Sequence, residues 1–409
     1  MTLTFRLAWR NLWRHRRRTW LTASAMIFSN VLLVFMISLQ FGSYEMMINN
    51  TLRAFSGHIQ LQMAGYNENP KLRNSIADVR TVAKRVRERL PNAQVAARAS
   101  GFALASSEER TFGIQLVGVE PDREPGVSSL PGLVRDGRFL DDPTAPEIFI
   151  GSTLARNLKV AVGDEITLLG SGRDGSFAAG IVTVAGIFES GMQDMDRSFA
   201  ELPLTYFQDL FAMDGGGHSV VVMLPSLDRV AAAVTTLRNA PDIDGPLDVL
   251  DWEALNPGLK QAIQADMSSA WFMYAVLIVL VAFSVLNTQL MSVMERTREF
   301  GVISALGVRP RRLAGLILLE TTLMALIGFA LGVFLGWLIT LYFNTAGFSY
   351  PGMEDFASRF NLPGKMYPSI TPLSLVLGPA VVFVFCLLAA LYPALRLLRL
   401  RPVDAMRTA

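Results

Sequence analysis

The sequence predicts an α-helical membrane protein with four transmembrane helices and one large α+β extracytoplasmic domain between the first and second helices. Of its 409 residues, 51% are hydrophobic and only 18% are charged, whereas soluble domains carry roughly 25% charge. The apolar residues gather in four long runs, and a stretch of mixed polarity, 42–266, separates the first run from the second. This composition argues against a soluble enzyme. The net charge of +2 argues against a nucleic-acid-binding protein, which usually has a strongly basic face.

Each of the four apolar runs is long enough to cross a membrane, because a spanning helix needs about 20 mostly apolar residues to cross ~30 Å of hydrocarbon. The first run is longer than the apolar region of a signal peptide, which has about 7 to 15 residues. No Ala-x-Ala cleavage site follows this run, so we predict a retained span. The predicted spans are 20–41, 270–294, 313–343 and 373–395.

Two polar residues inside these spans need an explanation. Glu320 is the only acid in the four runs, and no run contains Lys or Arg. An unpaired charge at the bilayer centre costs about 3 kcal/mol, so Glu320 is expected to face protein or water. Pairing with an arginine of the adjoining loop is the simpler interpretation, and a role in proton or substrate movement is the alternative. Asn287 is the second intramembrane polar residue of interest.

Basic residues predict the direction of the spans, because Lys and Arg in short loops are retained on the cytoplasmic side. Segments 1–19, 295–312 and 396–409 together hold 15 basic and 3 acidic residues. Loop 344–371 holds only two basic residues. The domain 42–266 carries 20 basic and 29 acidic residues. Both termini and the loop between the second and third spans are therefore predicted to be cytoplasmic, and the domain and the short last loop to lie outside.

The N-terminal segment 1–19 predicts an amphipathic helix at the cytoplasmic membrane surface. Aromatic and apolar residues recur on one helical stripe and arginines on a second. Such a helix can lie in the headgroup layer, with its aromatic residues inward and its arginines toward lipid phosphate. A topology signal alone is the simpler interpretation, and the two are compatible. The first stripe contains Phe5, Trp9, Leu12 and Trp13, and the second contains Arg6, Arg10, Arg14 and Arg17.

The stretch 42–266 predicts an α+β domain carried on helical stalks. Helical periodicity continues from the first span through Leu52, and 257–269 has a helix-compatible composition that runs into the second span. Between them, strands and short helices mix without a regular βαβ period, so one or two α+β subdomains are expected. Strands are predicted at 58–63, 94–106, 111–119, 165–169, 181–188 and 219–224, and helices at 75–90, 152–158, 203–211 and 227–239.

Motifs for chemistry by this chain are missing from the sequence. A Walker motif needs a Gly-Lys pair followed by Ser or Thr, and the sole such pair, Gly364-Lys365, is followed by a methionine. The three histidines lack metal-ligand spacing, and a single cysteine, Cys386, excludes an internal disulfide. Asp194 and Asp196 could form a cation or catalytic pair, although a polar loop beside a strand is the simpler interpretation.

The loop 295–312 predicts a short amphipathic helix between two spans. Residues 298–306 can form about two turns, Gly307 suits the C-terminal stop, and Pro310 fits the first turn of the next helix. A short helix joined rigidly to two spans can transmit a push from a soluble partner into the membrane. A basic topological loop with an incidental helix is the alternative. The apolar side of the predicted helix contains Phe300, Ile303 and Leu306.

This loop carries the motif Glu295-Arg296-x-x-Glu299-Phe300-Gly301, followed by Ala305-x-Gly307. The motif closely resembles the coupling-helix signature of the FtsX/MacB-like ABC transporter permeases. The order of one span, a large outside domain and three further spans agrees with that family, so the resemblance covers the whole architecture. Two further motifs agree: Gly328-x-x-x-Gly332-x-x-x-Gly336 in the third span, and Tyr392-Pro393-Ala394 leading to Arg401-Pro402-x-x-Ala405-Met406-Arg407.

Two stretches within the domain look like the lipoprotein-releasing (LolC/LolE) branch of that family. One subunit of that branch carries a proline-containing hook on a nearby hairpin, whereas 168–180 is rich in Gly and Ser and lacks proline. The resemblance therefore does not extend to a hook. The two stretches are Ile150-Gly151-x-x-Leu154-Ala155 with Val162-Gly163-Asp164, and Gly186-Ile-Phe-x-Ser-Gly191.

The resemblance implies a MacB-type periplasmic core domain on the non-catalytic permease subunit of an ABC transporter in the bacterial inner membrane. Two separate ATPase subunits would bind ATP and Mg²⁺, so this chain would bind no cofactor itself. A second permease copy or a paralogue would complete the transporter. Contact with the ATPase is expected at Glu295, Arg296, Arg298, Glu299 and Phe300, with Gly301, Ala305 and Gly307 allowing close backbone approach or helix termination.

The resemblance also implies the function. The leading expectation is extraction or export of a lipoprotein or other hydrophobic substrate by mechanotransmission, in which ATP-driven closure of the partner moves the coupling helices, the spans and the outside domain. The alternative is an FtsX-like permease that regulates a periplasmic cell-wall hydrolase. A periplasmic carrier, adaptor or hydrolase would then be the outside partner, and membrane lipid would surround the spans.

Three glycines of the third span, Gly328, Gly332 and Gly336, lie one turn apart on one helix face. Small residues at this spacing permit close approach of a second helix in a membrane. The second helix could belong to the same chain, which is the simpler interpretation, or to a partner across a dimer seam.

Overall fold

The structure is a computed structural model that describes residues 3–14, 16–108, 110–241, 246–353 and 364–398. The described residues fall into two compact units. The membrane unit takes those within 1–44, 263–350 and 365–409, and the domain unit takes those within 45–262 and 351–364.

The helices and strands follow one another in mixed order, as expected for an α+β chain. The helices are α1 (Leu3–Arg14), α2 (Arg16–Thr51), α3 (Val79–Arg89), α4 (Glu124–Val127), α5 (Ser152–Leu158), α6 (Gln193–Ser198), α7 (Leu204–Leu210), α8 (Val230–Arg238), α9 (Trp252–Leu255), α10 (Pro257–Glu295), α11 (Thr297–Ala305), α12 (Pro310–Ala346) and α13 (Pro372–Leu398). The strands are β1 (Ile59–Met63), β2 (Gln94–Ser106), β3 (Thr111–Val119), β4 (Val134–Gly137), β5 (Glu147–Gly151), β6 (Glu165–Ser171), β7 (Phe177–Phe188), β8 (Phe199–Pro203), β9 (Ser219–Met223) and β10 (Leu247–Asp251).

Among the residues that the structure describes, four helices are long and apolar enough to cross a membrane: α2, α10, α12 and α13. Each contains one of the four predicted spans. Helix α2 continues past its span to Thr51, and α10 begins at Pro257, well before its span. The two predicted helical stalks are therefore extensions of spanning helices.

Helix α12 packs closely against α2 within the membrane unit. A Cβ atom added to Gly332 would overlap the Cβ of Asn30, far inside van der Waals contact. The Asn30 side chain donates a hydrogen bond of 3.1 Å from Nδ2 to the carbonyl oxygen of Gly328. The glycine face is therefore filled from within the chain, as the simpler interpretation predicted. The facing pairs are Gly328 with Met26, Gly332 with Asn30, and Gly336 with Val34.

The described residues of the domain unit form one ten-stranded sheet and not two subdomains. The strand order is β10-β1-β9-β2-β3-β8-β5-β7-β4, and β6 pairs with both β2 and β7. Neighbouring residues in a strand point to opposite faces, and the two faces have separate cores. Leu116 and Ile148 belong to the larger core, which helices α3, α7 and α8 cover, whereas Val117 and Phe149 belong to the smaller one.

Helix α3 begins later than the sequence predicts. A helix over the predicted range 75–90 would have Ser75 as its cap, but the backbone of Ile76 pairs with that of Gly217, with N–O distances of 2.7 and 3.0 Å. This pairing keeps residue 76 extended, so the helix begins at Val79. Asp78 caps it, because its side chain accepts a hydrogen bond of 3.0 Å from the backbone N–H of Thr81.

At its C-terminal end, α2 widens into a π-helical turn, Leu52–Ser56. The last carbonyl groups of a helix have no partner within it, yet all five carbonyl oxygens of this turn accept hydrogen bonds inside the domain unit. The donors are Gly57 N to Leu52 O (2.8 Å), Ser129 N to Arg53 O (2.7 Å), Ser128 Oγ to Ala54 O (3.2 Å), Arg98 Nη1 to Phe55 O, and Gln60 Nε2 to Ser56 O (2.6 Å).

Arg98 is the central donor of this turn and is itself almost fully buried. Its Nε donates a hydrogen bond of 3.1 Å to Oε2 of Glu124, and its second amino group pairs with the other carboxylate oxygen. The guanidinium carbon also lies 4.7 Å from the centre of the Phe55 ring. A buried pair of this kind is strongly directional, so it fixes the turn to the sheet.

A second buried acid, Glu201 of β8, lies close to this ion pair. Among the residues that the structure describes, neither carboxylate oxygen of Glu201 has a hydrogen-bond partner. Burial and, next, the negative charge of Glu124 raise the pKa of Glu201 well above its usual range, and the charge of Arg98 opposes this rise. A carboxyl group in such a place holds its proton.

Two histidines of the domain unit serve the fold. Burial lowers the pKa of His58 and of His218 to about 4 in each case. Their Nδ1 atoms accept hydrogen bonds from the backbone N–H groups of Leu224 and Ser100, at 3.1 and 2.9 Å. Both rings are therefore neutral structural acceptors. His15 lies outside the described residues.

The pKa shift of Glu201 predicts a pH-dependent stability. The folded pKa is raised, so stability is greatest below the unfolded value of about 4.3 and falls as the pH rises toward the folded value. Glu201→Gln removes this loss, so its unfolding temperature relative to wild type should increase from pH 5 to pH 8. Thermal unfolding of the full chain in detergent micelles measures this difference, with exposed Glu88→Gln as the control. A constant difference across this range would contradict the assignment.

The close packing of the glycine face predicts different stabilities for two Gly→Ala variants of α12. Gly332→Ala places a methyl group against Asn30 and should destabilise the protein by about 1–3 kcal/mol. Gly315→Ala, where nothing lies within 4 Å of the added Cβ, should be neutral or stabilising by up to about 1 kcal/mol, because Ala favours the helix. Thermal unfolding of both variants compares them, and equal unfolding temperatures would argue against close packing at Gly332.

Candidate coupling site

Helix α11 lies in the loop between the second and third spans. Its predecessor α10 ends at Glu295, and α11 begins at Thr297 after a single intervening residue. Gly307 has a φ of +92°, a conformation that favours glycine, and it turns the chain toward Pro310, the first residue of α12. Helix α11 is therefore joined to α10 and to α12 by short turns only.

Phe300 attaches α11 to the spans. Its side chain is only 2% exposed and belongs to a small apolar core at the end of the membrane unit. Fully burying an aromatic side chain of this size contributes about 2–3 kcal/mol. The other buried members of the core come from three spanning helices: Val293 of α10, Leu313 and Ile317 of α12, and Leu397 of α13.

Arg296 connects the same loop to a charge inside α12. Its Nη1 lies 3.3 Å from each carboxylate oxygen of Glu320, and its Nε lies 3.5 Å from Oε2 of Glu299. The guanidinium carbon lies 4.9 Å from the centre of the Phe300 ring, within the range of a cation–π contact. Glu320, at 5% exposure, thus has the loop arginine that the simpler interpretation predicted.

The N-terminal helix completes the junction. Nδ2 of Asn11 donates a hydrogen bond of 2.7 Å to Oε1 of Glu320, and α1 packs along α12. Glu320 of α12 therefore contacts Asn11 of α1 and Arg296, the residue that immediately precedes α11. We call this group of Asn11, Arg296 and Glu320 the polar junction.

The structure divides the predicted coupling residues into two sets. Phe300 and Gly301 are buried and Arg296 is largely covered, so these three face the spans and not a soluble partner. The exposed set contains Glu295, Arg298, Glu299, Ala305 and Gly307. Contact of this exposed set with an ATPase stays a prediction.

The predicted apolar side of α11 is wrong at one end. Phe300 is buried and Ile303 packs beside it, but Leu306 is 81% exposed. The helix ends at Ala305, so Leu306 no longer follows the helical spacing. Val302 is also exposed, at 47%. The glycine that follows Leu306 is the signal in the sequence that could have placed Leu306 beyond the helix end.

The remaining candidates lie elsewhere. Asn287 is exposed on α10, unlike the buried Glu320. The polar loop predicted at Asp194 and Asp196 is wrong, because both residues lie in the short helix α6. Asp196 is buried there and accepts hydrogen bonds from Ser190 N and Oγ, at 2.8 and 2.6 Å, so it serves local structure. Within the described ranges no group of three His, Cys, Asp or Glu residues could hold a metal ion, and Cys386 is buried.

The comparisons with known proteins agree over both units. A family model described as MacB-like periplasmic core domain matches residues 19–240, and one described as FtsX-like permease C-terminal matches residues 271–402. The lipoprotein-releasing system transmembrane protein LolC of Xylella fastidiosa (strain 9a5c) is 27% identical over 314 residues, which cover 73% of this chain and 74% of that protein. The LolE protein of Haemophilus influenzae is 24% identical over 374 residues, covering 89% and 88% of the two chains.

Two other similar proteins carry the name MacB. The macrolide export ATP-binding/permease protein MacB of Campylobacter jejuni is 23% identical over 363 residues, which cover 85% of this chain and 55% of that protein. The crystal structure of the periplasmic region of MacB from Actinobacillus actinomycetemcomitans has a TM-score of 0.38 and 12% identity, covering 51% of this chain and 92% of that one.

The chain belongs to the FtsX/MacB-like permease family. It is an ABC transporter permease of the FtsX, MacB and LolC type, a membrane protein with four apolar helices and a MacB-like periplasmic core domain.

The polar junction predicts unequal effects for the two acids that contact Arg296. Glu320→Gln leaves a mostly buried guanidinium without its carboxylate and should destabilise the protein by about 3 kcal/mol. Glu299→Gln removes an exposed partner and should cost about 1 kcal/mol or less. The double change Arg296→Met with Glu320→Met should regain most of the loss. Thermal unfolding compares the variants, and an equal cost for both acids would contradict the junction.

Proposed function

We propose that this chain is a permease subunit that couples ATP hydrolysis by separate ATPase subunits to the extraction or export of a lipoprotein or other hydrophobic substrate. The observation that carries this proposal is the attachment of α11 to three spanning helices through Phe300 and to α12 through Arg296. A helix attached in this way moves as one body with the spans. The protein names of the relatives, lipoprotein-releasing system and macrolide export, support the transport role.

The orientation in this proposal follows from charge. Arginines surround α1, α11 and the start of α12, and basic loops stay in the cytoplasm. Both termini and α11 then face the cytoplasm, where ATPase subunits bind, and the domain unit faces the periplasm. Two permease chains, identical or related, complete the transporter, and the ATP and Mg²⁺ are held by the partner.

The surface that contacts the ATPase consists of the exposed side of α11 and Leu306, the residue that follows the helix. It combines the carboxylate of Glu299 and the guanidinium of Arg298 with two exposed apolar side chains, Val302 and Leu306. Protein interfaces commonly have such an apolar centre with a polar rim. Phe300 and Arg296 act behind this surface, where they hold α11 in position.

An exposed apolar patch on the domain unit supports the proposal that the substrate is hydrophobic. Phe102, Leu104, Phe177 and Ile181 are each 48–77% exposed, and most of them line an open groove of about 560 Å³. Large apolar side chains clustered on a surface mark interaction sites. This patch suits an acyl chain, a hydrophobic peptide or a periplasmic carrier.

The ATPase contact has a direct test. Leu306→Asp and Glu299→Arg should each weaken copurification with the cognate ATPase at least about tenfold, because a charge or a reversed charge enters the interface core or rim. Phe177→Asp, an equally drastic change at a 77% exposed residue of the domain unit, should leave assembly unchanged. Wild-type assembly by both α11 variants would refute the assigned surface.

The transport role has its own test in the reconstituted complex. ATPase activity stimulated by a lipoprotein supports extraction or export. ATP-dependent binding of a soluble cell-wall hydrolase, without stimulation by lipidated substrates, would support the FtsX-like alternative instead.

A further inference from the structure

Helix α1 presents an outward face that combines arginine and tryptophan. Trp9 and Trp13 are 43% and 45% exposed, and their rings meet edge to face with centres 6.1 Å apart. Arg6, Arg10 and Arg14 are also exposed and follow one another at one-turn spacing. Exposed indole rings of this size are unfavourable in water and favourable at the level of lipid headgroups.

The opposite face of α1 is fixed by packing. Ala8 and Leu12 are 0% and 5% exposed, and Asn11 reaches Glu320 of α12. The helix also joins α2 tightly, because Oγ1 of Thr19 donates a hydrogen bond of 2.8 Å to the carbonyl oxygen of Leu12. The outward face therefore cannot turn toward the protein.

The arginines of this face are exposed and available to an anionic partner from outside the chain. The first acidic residue of the sequence is Glu45, and in the part of the chain that the structure describes none of Arg6, Arg10 and Arg14 forms an ion pair with a carboxylate. Because α1 leads directly into a spanning helix, the anion in reach is a lipid phosphate. Guanidinium groups bind phosphate through paired hydrogen bonds.

We propose that the outward face of α1 binds anionic phospholipid headgroups of the bilayer and that the bound lipid stabilises the polar junction. The lipid holds α1, Asn11 connects α1 to Glu320, and Glu320 holds Arg296 at the start of α11. Anionic lipid thereby orders α11. The consequence of this ordering for ATP-driven coupling rests on the proposed function, whereas lipid binding and the ordering itself do not.

The test uses the full chain, without ATPase, in nanodiscs of phosphatidylcholine alone or mixed with phosphatidylglycerol. Hydrogen exchange of residues 297–305 should slow when phosphatidylglycerol is present. A single change of Arg6, Arg10 or Arg14 to Gln should weaken the association of phosphatidylglycerol with the protein about fivefold, as measured by native mass spectrometry. The triple variant at Arg6, Arg10 and Arg14 should lose the lipid-dependent protection.

Two controls separate the steps. A matched triple change to Gln at Lys71, Lys84 and Arg229, exposed basic residues of the domain unit, should retain both lipid association and protection. Asn11→Ala should keep lipid association while losing the protection of α11, because it breaks the connection to Glu320.

Three outcomes would overturn the proposal. The first is equal exchange of 297–305 in both nanodisc types for the wild-type chain. The second is retention of phosphatidylglycerol by the α1 triple variant. The third is equal protection by inorganic phosphate in phosphatidylcholine nanodiscs, which would identify a free anion site. A failure of the ATPase contact in the separate copurification test would leave each of these results unchanged.

Discussion

The ion pair between Arg296 and Glu320 is the interaction on which the geometry of the candidate coupling site depends. A carboxylate within a spanning helix is costly unless it is paired, and here its partner comes from the residue that separates α10 from α11. The same guanidinium covers the ring of Phe300, and the same carboxylate accepts from Asn11. One pair of charges thus sets the position of three helices, and the apolar core around Phe300 supplies the contact area that keeps water away from it.

A comparable arrangement secures the other end of α2. The π-helical turn Leu52–Ser56 leaves no carbonyl group without a donor, and its central donor, Arg98, is locked by Glu124. In the proposed mechanism, a spanning helix that transmits movement needs ends that do not fray, because helix termini are ordinarily the least stable parts. Helix α2 meets that need by recruiting side chains and backbone groups of the domain unit. Glu201, buried beside this ion pair, makes the surroundings sensitive to pH.

Sequence patterns were sufficient where one local signal decides the structure. Length and hydropathy located the four apolar helices, and the strand-like runs predicted at 94–106 and 111–119 have the same bounds as β2 and β3. The start of α3 could not be derived, because the choice between Ser75 and Asp78 as cap depends on backbone pairing with a distant segment. At the candidate coupling site, the sequence alone was enough to find the motif that begins at Glu295 and to predict that Glu320 pairs with an arginine. The burial of Phe300 and the exposure of Leu306 were not, because they follow from where α11 ends and what it packs against.

The buried cysteine has a practical meaning for studying movement in this permease. Cys386 is 1% exposed and packs in the apolar core of the membrane unit, and a thiol without access to water reacts slowly with polar reagents. The unchanged chain should therefore react only slowly with maleimide and methanethiosulfonate probes. New cysteines on the exposed residues of α11, on the tryptophan side of α1 or on the domain unit can then carry spin labels or fluorophores in an otherwise unaltered protein, so distances can be followed through the ATP cycle.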